Sequence, residues 1–276
     1  MFANRDLYED RFFLYPEAKA ITEHLDRLVA WPDVDRRPSA LIVADSNGGK
    51  MALLKHFASK HPRDLNETGD AARIPVLWTE APPRANLTSY FVSILQGLGA
   101  SFNERSSGIV LEQQALGLIR ECGVKVIVID ELHNLIKFSP VAYGQFLNMI
   151  RHLSTALRTS VVAAGLPQVE QALFHDAQLA NRFRTFRLEP WGVDLRTARM
   201  VMSYERALGF AGESELGRHE VLTFLATRTE GLLGEIITLL RAGAEVARER
   251  KEDVISYAAL QAADYVPPVD RFGRAA

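Results

Sequence analysis

Short apolar segments alternate, along the first two thirds of the chain, with longer segments in which apolar residues recur every three or four positions. The short segments are mostly continuous apolar runs and not alternating ones, which is typical of strands that are buried on both faces of a sheet. Such strands are predicted at residues 40–44, 74–79, 124–129, 160–164 and 185–188. Strands that alternate with helices indicate an α/β fold with a mostly parallel sheet that is covered by helices on both faces.

The longer segments predict the helices that would cover this sheet. They are residues 16–30, a segment that begins near Lys50, and residues 87–98, 111–121 and 143–157. After Trp191 the strand patterns stop, and helical patterns follow at residues 195–208, 218–229, 232–248 and 256–263. We therefore predict an α/β domain over residues 1–190 and a small helical lid domain over residues 191–276, whose tail from Pro267 is expected to be loosely ordered.

Composition excludes several classes of protein. No apolar run approaches the roughly 18 residues that a membrane span needs, and the N-terminus lacks the pattern of a signal peptide. The single cysteine, Cys122, rules out an internal disulfide framework. A cytoplasmic protein without membrane contact is expected. The 32 Lys and Arg residues against 34 Asp and Glu lower the expectation of a monomer that binds DNA tightly, whereas an oligomer could still present a cationic surface.

A phosphate-binding loop is indicated between the first predicted strand and the helix after it, where residues 44–51 read Ala-Asp-Ser-Asn-Gly-Gly-Lys-Met. Such a loop needs glycines for its turn, backbone N–H groups that face the phosphates, a lysine, and a Ser or Thr that ligates Mg²⁺. Gly49 and Lys50 stand at the expected positions, but Ala44 replaces the first glycine and Met51 replaces the hydroxyl residue. The segment alone is equally typical of an ordinary turn.

Two adjacent carboxylates favour the phosphate interpretation. Asp130 and Glu131 end an apolar strand that follows the loop in the order found in P-loop NTPases. In those proteins the Asp holds the Mg²⁺ shell, and the Glu can orient or deprotonate the attacking water. The two segments together predict a site for ATP and Mg²⁺, with Asp130 as the metal-binding residue. The predicted nucleotide-binding residues are Asp45, Ser46, Asn47, Gly48, Gly49, Lys50, Met51 and Asp130.

Five segments resemble the TniB/TnsC family of AAA+ ATPases from DNA transposons. These segments are residues 41–57, 129–135, 146–151, 178–183 and 229–234, and the resemblance covers roughly residues 10–250. The run Asp-Glu-Leu-His-Asn-Leu that begins at Asp130 is its most characteristic part. The resemblance implies a P-loop AAA+ domain and ATP-dependent homo-oligomers on duplex DNA. It also implies recruitment of a transposase and contact with a target-selection protein.

The resemblance further implies roles for individual residues. Lys50 would contact the β- and γ-phosphates, Asp130 would hold the Mg²⁺ shell, and Glu131 would position the attacking water. Arg182 resembles the arginine finger that enters the site of a neighbouring subunit, with Arg184 as the alternative. An arginine supplied in this way couples hydrolysis to assembly, because it stabilises charge on the phosphoryl group in transfer.

Two loops are implied to face DNA. Arg84 and Asn86 lie in the first loop, and Arg105 lies in the second. One cationic or amide side chain per subunit, repeated around an oligomer, could follow the phosphates of a duplex without reading its bases. The same residues are equally compatible with ordinary surface loops.

Three positions depart from the family pattern. Met51 offers no hard oxygen to Mg²⁺. Leu166 stands where related ATPases place a polar sensor residue, and Glu235 stands where many AAA+ proteins place a basic one. We therefore expect a nucleotide-dependent, DNA-binding transposition regulator whose ATP hydrolysis is weak or impaired, and whether it is an enzyme at all is left open. Two alternatives also stay open: a non-catalytic adaptor that kept the AAA+ fold, and an AAA+ initiator or loader outside transposition.

Overall fold

The computed structural model describes residues 12–65, 71–83, 86–137 and 139–272. Its contacts divide the chain into two compact units. One, the α/β unit, contains Ala18–Asp45 and Lys50–Leu188. The other, the helical unit, contains Glu189–Ala276, the described residues before Ala18, and the loop Ser46–Gly49.

A five-stranded parallel sheet forms the centre of the α/β unit, as predicted. Its strand order is β2-β3-β4-β1-β5, and every neighbouring pair is parallel. Parallel pairing places the C-terminal ends of all strands together, at what we call the carboxyl edge, and their N-terminal ends at the opposite amino edge. The strands are β1 (Ser39–Val43), β2 (Val76–Glu80), β3 (Val126–Asp130), β4 (Ser160–Gly165) and β5 (Phe183–Arg187).

Helices surround this sheet, and short polar side chains cap the N-terminal ends of several of them. Asn86, Ser107 and Ser139 each accept a hydrogen bond from a backbone N–H in the first turn of the helix that follows. A 3₁₀ helix, Leu132–Lys137, comes directly after β3. The α-helices are α1 (Pro16–Val29), α2 (Lys50–Ser59), α3 (Leu87–Leu98), α4 (Gly108–Glu121), α5 (Pro140–Ala156), α6 (Gln168–Phe174) and α7 (Ala177–Ala180).

Both faces of the sheet are buried, which confirms that part of the prediction. Leu41, Ile127 and Val161 belong to one large apolar cluster that includes residues of α3, α4 and α5. The residues that alternate with them in the strands, Ala40, Val126 and Val162 among others, are equally buried but point to the other face. Helices α1 and α2 supply buried apolar side chains outside that cluster.

The edge strand β5 begins two residues earlier than its sequence pattern predicts. Phe183 is buried at its start, whereas Arg184 is exposed, so burial varies along this strand. A strand at the edge of a sheet is only partly covered, and a continuous apolar run is therefore a poor guide to its extent.

The helical unit has a core of its own. Phe13 and Tyr15 join this core through edge-on ring contacts with Tyr204 and Trp191, at centroid distances of 5.2 and 4.9 Å. A tail from Pro267 was expected to be loosely ordered, but the structure has a short helix there. The helices are α8 (Leu195–Ala207), α9 (His219–Thr229), α10 (Leu233–Glu249), α11 (Tyr257–Ala262) and α12 (Pro268–Phe272). Within the described ranges, no helix is both long and apolar enough to cross a bilayer.

Candidate functional site

Lys50 opens α2, and its side chain turns back towards the end of β1. Its Nζ atom donates hydrogen bonds to the carbonyl oxygens of Ala44 and Asp45, at 2.7 and 2.9 Å. Burial lowers the pKa of Lys50, and three carboxylates oppose that shift, those of Asp130, Glu131 and Asp45. The ammonium group therefore lies at the carboxyl edge, within the field of these acids.

Asp130 is the last residue of β3, and only 3% of it is exposed. Burial raises the pKa of its carboxyl group, the hydrogen bond from the backbone N–H of Glu131 (2.8 Å) lowers it, and the net shift is upward. The positive charge of Lys50 also lowers this pKa, whereas the negative charge of Glu80 raises it. A buried carboxylate with a perturbed pKa beside a lysine is typical of functional sites.

Glu131 combines an unusual backbone with an accessible side chain. Its φ of 55° lies in the left-handed region, which costs a residue with a Cβ atom on the order of 1 kcal/mol. The side chain is 43% exposed, and one of its carboxylate oxygens lies 3.2 Å from Nε2 of His133. His133 thus orients Glu131, a role that the Glu-x-His spacing alone does not reveal.

The segment that carries these carboxylates is held between two strand ends. The amide Nδ2 of Asn134 donates to the carbonyl oxygen of Ala81, just beyond β2, at 3.3 Å. On the other side, Gly165 ends β4 so close to the 3₁₀ helix that an added Cβ atom would lie 2.8 Å from Val169 Cγ2 and 3.2 Å from the backbone nitrogen of His133. The positions of Asp130 and Glu131 are therefore fixed by packing.

The glycine-rich loop is shaped by contacts within the helical unit. Asn47 and Gly49 have φ angles of 59° and 98°. Gly49 is required for a second reason, because a Cβ atom there would lie 2.8 Å from Cδ2 of Leu233. The carbonyl oxygen of Asn47 accepts a 2.8 Å hydrogen bond from the backbone of Gly234, and its Nδ2 donates to Oε1 of Glu235 at 3.0 Å.

These groups suit a nucleotide better than they suit a metal ion. Lys50 and the loop offer a cation and backbone N–H groups, which are the usual partners of phosphates. Among the described residues, no three His, Cys, Asp or Glu side chains are grouped as metal ligands. Met51 is half exposed in the first turn of α2 and offers no oxygen. Mg²⁺ would therefore depend on Asp130, together with phosphate oxygens and water. Leu166, another departure in the α/β unit, is half-buried after β4.

Arg182 is not brought to the carboxyl edge. Its carbonyl oxygen accepts from the backbone N–H of Ser39 at the start of β1, so Arg182 lies at the amino edge. Its guanidinium donates to the hydroxyl groups of Ser154 (2.7 Å) and Thr155 (3.1 Å). The length of a five-residue strand, about 16 Å, separates the two edges. Arg184 is exposed on β5, with its guanidinium 5.0 Å from the ring centre of Phe186.

The proposed DNA-facing residues are only partly described. Arg84 lies outside the described residues. Asn86 is exposed, but its side-chain oxygen already accepts a 2.9 Å hydrogen bond from the backbone of Thr88 at the start of α3. Arg105 is exposed in the loop before α4. The N-terminal ends of α3 and α4 are adjacent, since a Cβ atom on Gly108 would lie 2.6 Å from Oγ1 of Thr88.

Several solved structures share this fold. The ORC2 protein of Aeropyrum pernix, in ADPNP-ADP complexes, is 12% identical, with a TM-score of 0.61 over 94% of this chain and 71% of that chain. The A. pernix ORC1 protein in complex with DNA is 16% identical, with a TM-score of 0.63 over 94% and 68%. The RuvB Holliday junction branch migration motor of Thermotoga maritima is 15% identical, with a TM-score of 0.54 over 93% and 72%. At these identities the likeness establishes the fold alone.

No curated protein sequence matches the chain. Residues 4–193, however, match a protein family that is described as bacterial TniB protein. This match covers more than half of the 276 residues and includes the loop, Lys50 and both carboxylates of the carboxyl edge. The chain belongs to the TniB family.

Proposed function

We propose that this TniB-family protein is a nucleotide-dependent regulator of DNA transposition, which binds ATP, oligomerises on duplex DNA and recruits a transposase. The observation that carries the proposal is the carboxyl edge of the α/β unit. There Lys50 lies in the field of the buried Asp130 and of the accessible Glu131.

In the proposed complex, the phosphates of ATP bind to backbone N–H groups of the loop and to Lys50. The Nζ atom of Lys50 then exchanges the carbonyl oxygens of Ala44 and Asp45 for phosphate oxygens. Asp130 is the residue that would hold Mg²⁺, and the ion would neutralise phosphate charge. The AAA+ neighbour ORC2 was solved as ADPNP-ADP complexes, which supports a nucleotide as the ligand of this fold.

Hydrolysis would use groups that the structure leaves accessible at the same edge. The proposed role of Glu131 is to orient the attacking water, and the contact of its accessible carboxylate with His133 supports this role. Met51 withholds the oxygen that a Ser or Thr would add to the metal shell, so turnover is expected to be slow. Arg182 belongs to the opposite edge, and it would act on a nucleotide bound by a neighbouring subunit.

The proposed binding to duplex DNA depends on an oligomer and not on a single site. The ORC1 neighbour was solved in complex with DNA, and Asn86 and Arg105 lie in loops near the adjacent ends of α3 and α4. One or two phosphate contacts per subunit bind weakly, but linked subunits add their contacts, so a nearly neutral chain can bind duplex DNA as an oligomer. The transposase and a target-selection protein are the proposed protein partners.

A second candidate function is that of a non-catalytic adaptor, which kept the fold and its protein contacts without turning over nucleotide. Ala44, Met51 and Leu166 favour it, because each departs from the residue type that active ATPases of this kind have at its position. The two candidates differ in one measurable property: the adaptor releases no phosphate from ATP, even in the presence of DNA.

The nucleotide assignment is tested with Lys50→Ala, which should weaken binding of a fluorescent ATP analogue at least about tenfold, since a charge-assisted phosphate contact is lost. Lys55→Ala is the matched control, because Lys55 is an exposed lysine of the same helix. Both variants are titrated with the analogue, and phosphate release is followed with and without duplex DNA.

Equal affinity of the wild-type protein and Lys50→Ala for the analogue would show that the nucleotide does not bind at this loop. If the wild-type protein binds the analogue but releases no phosphate from ATP in any condition, the result would instead support the non-catalytic adaptor.

A further inference from the structure

Glu235 is a buried acid that the proposed nucleotide chemistry does not use. It lies in the first turn of α10 and is only 3% exposed. Its carboxylate accepts four hydrogen bonds: two from the guanidinium of Arg271 (both 2.8 Å), one from the hydroxyl of Tyr265 (2.8 Å) and one from Nδ2 of Asn47 (3.0 Å). All four residues belong to the helical unit.

These bonds keep Glu235 charged although it is buried. Burial alone would raise the pKa of the carboxyl group, but the hydrogen bonds from Arg271 and Tyr265, the charge of Arg271 and the bond from Asn47 lower it below its ordinary value. An arginine that donates through both Nη atoms fixes the plane of a carboxylate as well as its charge. The direction of each Glu235 oxygen is therefore set by Arg271.

One of those oxygens, Oε1, receives both an N–H of Arg271 and the side chain of Asn47. Asn47 in turn lies in the glycine-rich loop with a left-handed backbone, and its carbonyl oxygen accepts from Gly234. A chain of contacts thus runs from α12 through Glu235 to the middle of the loop.

We propose that Arg271, acting through Glu235, is a positioning residue for the phosphate-binding loop. The short helix α12 acts as a clasp: its Arg271 fixes the carboxylate of Glu235, which binds the side chain of Asn47. Through Asn47, this contact holds the backbone N–H groups of the loop in position. A loop that is held in its binding conformation before the ligand arrives binds more tightly, because less ordering entropy is lost on binding. This inference rests on the proposed function, since a nucleotide phosphate is the ligand that the loop would receive.

The first experiment measures the loop itself, in the protein without nucleotide. Hydrogen exchange at the amides of Asn47, Gly48 and Gly49 should become about tenfold faster in Arg271→Ala, because a charge-assisted contact is lost. Asp270→Ala should leave exchange unchanged, since it alters an exposed neighbour in the same short helix. Arg271→Lys should be intermediate, because an ammonium group cannot bind both oxygens in the same way.

The second experiment measures affinity for a fluorescent ATP analogue. Arg271→Ala should bind it about tenfold more weakly than the wild-type protein. Asn47→Gly removes the loop's side-chain contact while tolerating the left-handed backbone. If Arg271 acts through Asn47, adding Arg271→Ala to Asn47→Gly should cost little further affinity, whereas a purely structural role would make the two losses additive.

Unchanged hydrogen exchange at the loop amides in a folded Arg271→Ala protein would overturn the proposal. Additive losses of affinity in the Asn47→Gly and Arg271→Ala double variant would overturn it as well. If Arg271→Ala fails to fold, Arg271→Lys carries the same test, and exchange equal to wild type in that variant would count against the clasp. A wild-type protein that binds no analogue would refute the proposed function, yet faster exchange in Arg271→Ala would still establish that α12 holds the loop.

Discussion

Met51 follows Lys50 in the first turn of α2, at the position from which a hydroxyl side chain would reach the metal. It is half exposed, so its side chain is not needed for the core of the α/β unit. A substitution there therefore changes the chemistry of the site with little effect on packing.

Met51→Thr should raise the rate of ATP hydrolysis about tenfold, because the hydroxyl group adds a hard oxygen to the Mg²⁺ shell. Met51→Leu is the matched control, since it changes the side chain without adding an oxygen. The measurement is phosphate release at saturating ATP and Mg²⁺. A threonine variant no faster than the leucine variant, with nucleotide binding intact in both, would place the defect elsewhere, with Leu166 the next position to change.

Single residues of the site differ in how far the sequence predicts them. Lys50 and Asp130 are predictable because each follows or ends a continuous apolar strand at a recognisable spacing. The left-handed backbone of Glu131 and its contact with His133 are not, because both depend on how the 3₁₀ helix packs against the end of β4. The use of Asn86 as a helix cap could have been anticipated, since asparagine before a helix is a common cap.

Among the elements, the five-residue helix α12 is joined to α10 by the ion pair of Arg271 with Glu235. Arg271 is the member of α12 that reaches the carboxylate of Glu235. The stability of this part of the helical unit should therefore depend on the charge of Glu235 and follow pH.

The pKa of Glu235 is lower in the folded protein than its ordinary value. The stabilisation is thus fully present above the ordinary pKa of a glutamate, about 4.3, and is lost as the pH falls through the lower, folded value. Glu235→Gln should lower the free energy of unfolding by about 2 kcal/mol at pH 7, because Arg271 loses its anion.

Denaturant unfolding at a series of pH values checks this expectation. The gap between the wild-type protein and Glu235→Gln should narrow on acidification below about pH 4. Asp194, whose pKa is lowered by the hydrogen bond from the backbone of Thr197, titrates in both proteins and cancels in the difference. A gap that stays constant down to pH 2 would show that the charge of Glu235 does not stabilise the fold.

Elements were predictable where local pattern and burial agree. The central strands β1, β3 and β4 are buried along their whole length, and their apolar runs identify them. Helices α6 and α7 were missed because seven and four residues are too few to show a helical period. Helix α12 was missed for a different reason: its partner Glu235 lies 36 residues away in the chain.

At the scale of the whole molecule, the chain is nearly neutral, and its proposed binding to DNA depends on phosphate contacts that are repeated in every subunit of an oligomer. Arg105→Ala should weaken binding to duplex DNA and reduce the dependence of affinity on salt, because each subunit loses one phosphate contact. Arg120→Ala is its matched control, since it removes the same charge from an exposed position near the other end of α4. Fluorescence anisotropy at several salt concentrations provides both quantities. If affinity depends on salt equally in the two variants, DNA does not contact this loop.

Arg182→Ala should reduce both assembly on DNA and DNA-stimulated hydrolysis, since the residue is proposed to act across a subunit boundary. Sedimentation and electron microscopy with ATP and duplex DNA report assembly, and phosphate release reports hydrolysis. Arg184→Ala serves as the comparison, because Arg184 is two residues away and exposed on β5. If Arg184→Ala abolishes hydrolysis and Arg182→Ala does not, the roles of the two arginines are exchanged.

The placement of Lys50 and Arg182 at opposite edges of one parallel sheet has a consequence for how the proposed oligomer gains and loses subunits. An interface that joins the amino edge of one subunit to the carboxyl edge of the next pairs unlike surfaces, so it cannot form a symmetric dimer and gives either a closed ring or an open array. An open array of this kind has a head and a tail. In such an oligomer of the proposed regulator, the terminal subunit at one end would hold a nucleotide that no arginine reaches, and the subunit at the other end would hold an arginine with no nucleotide to meet. The two ends would therefore hydrolyse ATP, and shed subunits, at different rates.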